Sequence, residues 1–213
     1  MRLFKASLML LASLLFCVDR VTAAPIRTFA YEGIVDETDG DNSRIENQTR
    51  VFLGQTIRIE FTFDAMVPDG TPDITHGLWQ PILNVATTLG GYLYTNGPTP
   101  NIEVFDVFLG IDAFIFNDNI VNGPKIGDLV VHSVNLDMSD FSRTAFDSDA
   151  LPVTPPNPDD FDDVNFTITL RSDPIGQFGH VTANTLTVVP EPASLSLLTL
   201  GSLALIRQRR REK

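Results

Sequence analysis

The chain has 213 residues and a formal net charge of −12 at pH 7, with 27 acidic and 15 basic side chains. A surface of that sign repels nucleic acid, which excludes a nucleic-acid-binding function. Hydrophobic residues make up 43% of the chain, which is typical of a folded protein. Cys17 is the single cysteine, so an intrachain disulfide is also excluded.

The first residues predict a secretory signal peptide over residues 1–23. Arg2 and Lys5 supply the positive charge, residues 6–18 the apolar stretch, and Ala23 a small residue at the cleavage point. A lipoprotein site at the single cysteine is disfavoured because a bulky phenylalanine precedes it. The exported chain would then have no thiol, and hence no zinc-thiolate site or cysteine nucleophile.

Residues 24–188 are predicted to form one folded domain, which is long enough to bury a core of its own. This range holds seven basic and 24 acidic residues, so its net charge is −17. A domain of this charge is highly soluble, and it binds other polyanions only where divalent cations bridge the two.

The apolar pattern of this range predicts an all-β fold. The two clearest strands cover residues 56–63 and 164–170, in which apolar and polar side chains alternate. Their inward faces are predicted to be Ile57, Ile59, Phe61 and Phe63, and Val164, Phe166, Ile168 and Leu170. Further strands are predicted over residues 27–35, 82–88, 91–94, 102–108, 113–116, 129–138 and 181–188. We therefore expect an antiparallel β-sandwich, with the jelly roll as one candidate topology.

Two proline-rich segments, residues 64–80 and 140–163, are predicted to be long loops. Clustered aspartates in the second loop, and in residues 36–43, are candidate calcium ligands because hard carboxylate oxygens suit that ion. These candidates are Asp36, Asp39, Asp41, Asp147, Asp149, Asp159 and Asp160. Their spacing does not match an EF-hand loop, and a solvated Asp/Gly turn is the alternative interpretation of residues 36–43.

Three aromatic residues, Trp79, Tyr92 and Tyr94, are candidates for stacking on sugar rings. Exposed aromatic rings bind pyranose faces well, whereas aromatic side chains in a β-sandwich more often pack in the core or in turns. Both interpretations remain open on the sequence alone.

The sequence carries no catalytic signature. A Gly-x-Ser-x-Gly elbow, a His-Glu-x-x-His helix and a phosphate-binding glycine loop are all missing. The three histidines are His76, His132 and His180. His132 is predicted to be a packed core or edge histidine on the apolar face of strand 129–138, together with Val130, Val134 and Leu136. We therefore expect a protein that is not an enzyme.

The C-terminal residues 189–213 contain a polar motif, an apolar run and a basic end. The motif is Val189, Pro190, Glu191 and Pro192, the run covers residues 193–206, and the basic residues include Arg207, Arg209, Arg210 and Arg211. A helix over the run would be about 21 Å long, so it spans a bilayer if the arginines snorkel and the bilayer thins. The positive-inside rule places its basic end in the cytoplasm. A buried core helix is the alternative for so short a run.

This order of segments resembles the PEP-CTERM sorting signal of exopolysaccharide-producing Gram-negative bacteria. The resemblance covers the tail alone. It implies export through the inner membrane, transient residence in that membrane, and processing by an exosortase-type membrane protease. It also implies a final place at the cell surface or in the extracellular matrix.

Two functions fit such a protein. The first is a structural or adhesive role in exopolysaccharide or biofilm. The second is a lectin-like carbohydrate-binding module, with calcium as a cofactor and extracellular polysaccharide as a partner.

Overall fold

The computed structural model describes residues 26–71, 73–80, 82–95, 97–119, 122–172 and 176–190. The predicted signal peptide and residues 191–213, which include the predicted transmembrane run, lie outside these ranges. Within the ranges, none of the helices is long and apolar enough to cross a bilayer.

Twelve strands form two antiparallel sheets in this part of the chain. In chain order they are β1 (Ile26–Ile34), β2 (Glu37–Gly40), β3 (Thr56–Asp64), β4 (His76–Trp79), β5 (Ile82–Leu89), β6 (Tyr92–Thr95), β7 (Asn101–Phe108), β8 (Ile111–Asn119), β9 (Leu129–Asp140), β10 (Asp163–Ser172), β11 (Phe178–Ala183) and β12 (Leu186–Val188). Sheet A has the order β12-β1-β3-β5-β6, and sheet B has the order β2-β11-β10-β9-β8-β7-β4. The prediction of an all-β fold is confirmed.

The core lies between the apolar faces of the two sheets. The alternation predicted for β3 is correct, because its four inward side chains have no solvent-exposed surface. Phe61 of sheet A stacks on Phe116 of sheet B, with ring centroids 4.6 Å apart. Phe29, also in sheet A, lies 6.4 Å from Phe114 of sheet B. Aromatic rings therefore join the two layers, as expected for large apolar side chains in a close-packed interior.

The strand order differs from that of a jelly roll. Five strands, β7 to β11, follow one another as neighbours in sheet B. The chain passes from one sheet to the other six times, and two of these crossings lie between β1 and β2 and between β11 and β12. The single strand predicted over residues 181–188 is therefore two strands, which are separated by Asn184 and Thr185.

A β-bulge in β9 corrects the prediction for His132. In the pairing with β10, Thr169 lies opposite Ser133, but Leu170 lies opposite Val131. One extra residue on β9 shifts the alternation, so that Val131 and Val134 both face the core. The prediction that Val130 and His132 share the apolar face was therefore wrong. His132 is half-buried, and its ring lies 5.5 Å from that of Phe178.

The sequence analysis missed β2 and the 3-10 helices Arg50–Phe52 and Pro158–Asp160, and it missed two further short elements. The first is β4, which lies in the predicted loop 64–80 and pairs with β7 at the edge of sheet B. The second is helix α1 (Ser43–Thr49), whose N-cap Asn42 accepts backbone hydrogen bonds from Arg44 and Ile45 at 3.0 and 3.1 Å. A helix of seven residues is too short to show a three-turn apolar period, and its cap was the available signal.

Candidate functional site

The segment predicted to be the sorting motif begins at the last strand of the domain. β12 pairs with β1 alone, and its three residues Leu186, Thr187 and Val188 lie opposite Gly33, Glu32 and Tyr31. The next residue, Val189, donates its backbone N–H to the Ala30 carbonyl at 2.8 Å. Pro190 follows and is exposed. Of the predicted motif, Val189 and Pro190 are described, whereas Glu191, Pro192 and Arg207, Arg209, Arg210 and Arg211 lie outside the described residues.

Close packing holds β12 against the corner of the domain. A Cβ atom on Gly33 would lie 2.6 Å from the Thr185 carbonyl oxygen and 2.7 Å from Cδ2 of Leu186. Only glycine therefore allows the chain to pass so near β1 at this point. The Leu186 side chain is 4% exposed, while Thr187 is exposed and donates its hydroxyl to the Glu32 carbonyl at 3.3 Å.

The candidate calcium ligands of residues 36–43 bond to the protein's own chain. Asp36 accepts hydrogen bonds from the backbone and side-chain amides of Asn184, both at 3.1 Å. Asp41 accepts from the backbone N–H of Phe178 at 2.7 Å. Asp39 lies between them in β2, opposite His180 of β11. These contacts close the corner of the fold and fasten β2 to sheet B.

The aspartates of the long loop fall into two groups. Asp147 and Asp149 lie near Asp106 of β7, whose pKa is raised by burial, by Asp112, and by these two carboxylates. Asp159 and Asp160 lie in a 3-10 helix, Pro158–Asp160, which Asn157 caps. Among the residues that the structure describes, no three His, Cys, Asp or Glu side chains are placed to share a metal ion.

Residues 37–40 form a paired strand, so the turn interpretation was wrong, and the exposed carboxylates of Asp36 and Asp41 already accept hydrogen bonds from the chain. We expect millimolar calcium and magnesium, at equal ionic strength, to raise the melting temperature equally, since both screen the −17 charge of the domain. Magnesium keeps its waters and tolerates flexible multidentate loops poorly, so it reports screening without tight loop binding. A clearly larger increase in melting temperature with calcium than with magnesium would support a calcium site.

Two buried aspartates that the sequence analysis did not single out organise the long loop. Asp140, at the end of β9, is 2% exposed and accepts backbone N–H groups from Ser142, Thr144 and Ala145 at 2.7, 2.7 and 3.0 Å. Hydrogen bonds from the Ser142 side chain and from these backbone groups hold the pKa of Asp140 well below its usual range. A signal was present, since an aspartate at a strand end followed by Ser and Thr is typical of an Asx turn.

The second organising residue is Asp112, which has no exposed surface. It bridges two segments, accepting from the backbone of Val107 at 2.8 Å and of Phe146 at 3.1 Å. At the other end of the loop, the Tyr31 hydroxyl donates to the Pro156 carbonyl at 3.2 Å. The loop predicted over residues 140–163 is therefore confirmed as a long connection, and it is fastened to the core at both ends.

The three aromatic candidates do not form a sugar platform. Trp79 is 5% exposed in β4 of sheet B, and Tyr94 has no exposed surface in β6 of sheet A. Burial also raises the pKa of Tyr94. Tyr92 alone keeps a substantial exposed fraction, 41%. The alternative interpretation, core packing, is correct for Trp79 and Tyr94, because both rings fill the space between the sheets.

Comparison with protein families gives one match. Residues 188–211 match the family described as the PEP-CTERM protein-sorting motif. No curated protein and no solved structure matches the chain. The match begins at Val188, the last residue of β12, and it includes the Pro-Glu-Pro triplet, the apolar run and the arginines. The C-terminal tail is therefore a PEP-CTERM protein-sorting motif, which marks an exported protein that an exosortase, a membrane protease, processes.

Proposed function

We propose that this domain is a non-catalytic structural or adhesive protein of the cell surface or the exopolysaccharide matrix. The observation that carries the proposal is the sorting motif at residues 188–211, which begins at the last residue of the last strand of an acidic two-sheet domain. Such a motif delivers whatever domain precedes it, so the role of the domain depends on its own surface.

The contacts of the polar side chains support a structural role. Asp36, Asp41, Asp112 and Asp140 all bind backbone N–H groups of the same chain. Their carboxylates therefore shape the loops and corners of the domain itself. The remaining surface carries many acidic side chains, which suits a hydrated layer in which divalent cations bridge the domain to acidic polysaccharide.

The lectin-like alternative is weaker because two of its three predicted aromatic residues, Trp79 and Tyr94, are buried. A glycan array separates the two functions. A structural protein binds no particular glycan and depends on divalent cations for association with acidic polysaccharide. Tight and selective binding of one glycan, with or without calcium, would favour the lectin.

We expect the mature protein to lack both ends of the chain. Intact-mass measurement of the protein from its native host should show the loss of residues 1–23 and of the apolar tail. In cells without the sorting protease, the tail should remain and the protein should stay in the membrane fraction.

A matched pair of variants tests the motif. Glu191→Ala changes the Pro-Glu-Pro triplet and should leave the tail uncleaved. Ser202→Ala, in the apolar run, should be processed like the unchanged chain. Recovery of a chain that still ends at Lys213 from surface fractions of normal cells would overturn the proposal.

A further inference from the structure

The sorting motif overlaps the folded domain. Val188 is both the last residue of β12 and the first residue of the matched motif. The Val189 N–H is bound to Ala30 of β1 at 2.8 Å, so the motif starts inside the hydrogen-bonded edge of sheet A. One residue, Pro190, separates this bond from Glu191.

This closeness leaves little room for a protease. An extended chain advances at most about 3.6 Å per residue, and Pro190, the first residue of the Pro-Glu-Pro triplet, directly follows the bonded Val189. Neighbouring strands are about 4.8 Å apart, so β1 flanks the start of the motif on one side. A cleft that encloses an extended peptide around Pro190 would occupy the same space as the edge of sheet A.

β12 is also a short edge strand, which can separate from sheet A with a small loss of free energy. It has three residues, a single neighbouring strand and one buried side chain, Leu186, while Val188 packs partly buried against the core. Local opening in folded proteins begins at such short edge elements, which have few buried apolar contacts. The rest of sheet A would keep β1 paired with β3 over nine residue pairs.

We propose that β12 separates from β1 before processing and that residues 186–190 form part of the extended segment that the sorting protease binds. This inference rests on the proposed processing by that protease. The partner supplies backbone hydrogen bonds in place of those that β1 gives up, as in other cases where an extended peptide adds to a protein edge. The stability of the β12–β1 pairing then sets the rate at which the tail is removed.

A disulfide lock tests the proposal. Glu32 and Thr187 lie opposite each other on the outer face, at a cross-strand spacing that a disulfide can bridge. The Glu32→Cys/Thr187→Cys variant fixes β12 to β1. The matched control, Thr28→Cys/Thr62→Cys, fixes β1 to β3 and leaves β12 free; these two hydroxyl groups lie 3.0 Å apart.

Cleavage of the full chain would be followed in membranes that contain the protease, with and without dithiothreitol. We expect the oxidised β12 lock to slow cleavage at least tenfold, and the reductant to restore it. The control disulfide should be cleaved at the rate of the unchanged chain. Equal cleavage of both oxidised variants would overturn the role of β12 while leaving the processing intact. If the unchanged chain itself is not cleaved, the proposed processing fails instead.

A second pair of variants tests whether weaker attachment of β12 makes cleavage faster. Leu186→Ala removes the side chain that anchors β12 in the core, so cleavage should become several-fold faster. Leu170→Ala in β10 removes an equally large buried side chain that lies outside β12. Equal acceleration in both variants would show that general unfolding, not release of β12, exposes the motif, and would contradict the proposal.

Discussion

Phe61→Ala is expected to cost about 3–5 kcal/mol of unfolding free energy, as is usual for removing a fully buried phenylalanine. The ring has no exposed surface. It stacks on Phe116 of the opposite sheet and lies 5.8 Å from Phe29 of the same sheet. Its loss leaves a cavity where the two layers meet, and denaturant unfolding of the mature domain measures the cost.

Two control variants separate burial from composition. Phe141→Ala removes the same side chain at a position that is 60% exposed, and it should change stability by about 0.5 kcal/mol or less. Glu60→Gln, next to Phe61 on the outer face, loses only a surface ion pair with Arg58, worth about 1 kcal/mol at most. If Phe61→Ala reduced the unfolding free energy as little as either control does, Phe61 would not pack between the two sheets.

The strands that the sequence predicted well are those whose pattern is local. β3 and β10 alternate without interruption, and the predicted bounds differ from the observed ones by one or two residues. β4 could not be found in this way, because its four residues become a strand only through pairing with β7, which lies far along the chain. The bulge at His132 has the same cause, since it depends on the register between β9 and β10.

The candidate functional residues also differ in whether the local sequence or the fold determines their role. The sorting tail was predictable because its signal lies in the order of residue types, which requires no fold. The aromatic candidates were not, because a four-residue strand such as β6 does not reveal which face is buried. With 24 acidic residues in the domain, composition could not single out Asp140, whose role depends on which backbone N–H groups the fold brings to it.

Asp140→Asn should lower the melting temperature and reduce the acid sensitivity of the domain. The carboxylate accepts three backbone N–H groups of the long loop, whereas an amide offers one oxygen and turns its NH2 group toward a donor. An unsatisfied buried donor is costly, so the loop should loosen first. Hydrogen exchange of residues 141–146 would detect that loosening, and thermal melts would measure the global effect.

The pH dependence follows from the lowered pKa of Asp140. A carboxyl group whose pKa is lower in the folded state contributes its full stability above the unfolded value, near 3.9, and loses it as the pH falls below that value. The stability difference between the unchanged domain and Asp140→Asn should therefore be constant from pH 7 to about 5. It should shrink as the pH falls below about 4.

Asp118→Asn is the matched comparison, because the same substitution should give the opposite slope. Asp118 is fully buried and accepts the Gly97 N–H, and burial raises its pKa. Its charged form lowers the unfolding free energy at neutral pH. As the pH falls and the carboxyl group takes up a proton, the stability of the unchanged domain should therefore rise relative to that of Asp118→Asn. Parallel slopes for the two variants would contradict the assignment whose expected slope is not observed. The slopes should be measured under conditions where unfolding is reversible. Opposite slopes would show that the backbone N–H groups around Asp140 stabilise its carboxylate, whereas burial of Asp118 in the core destabilises its charged form.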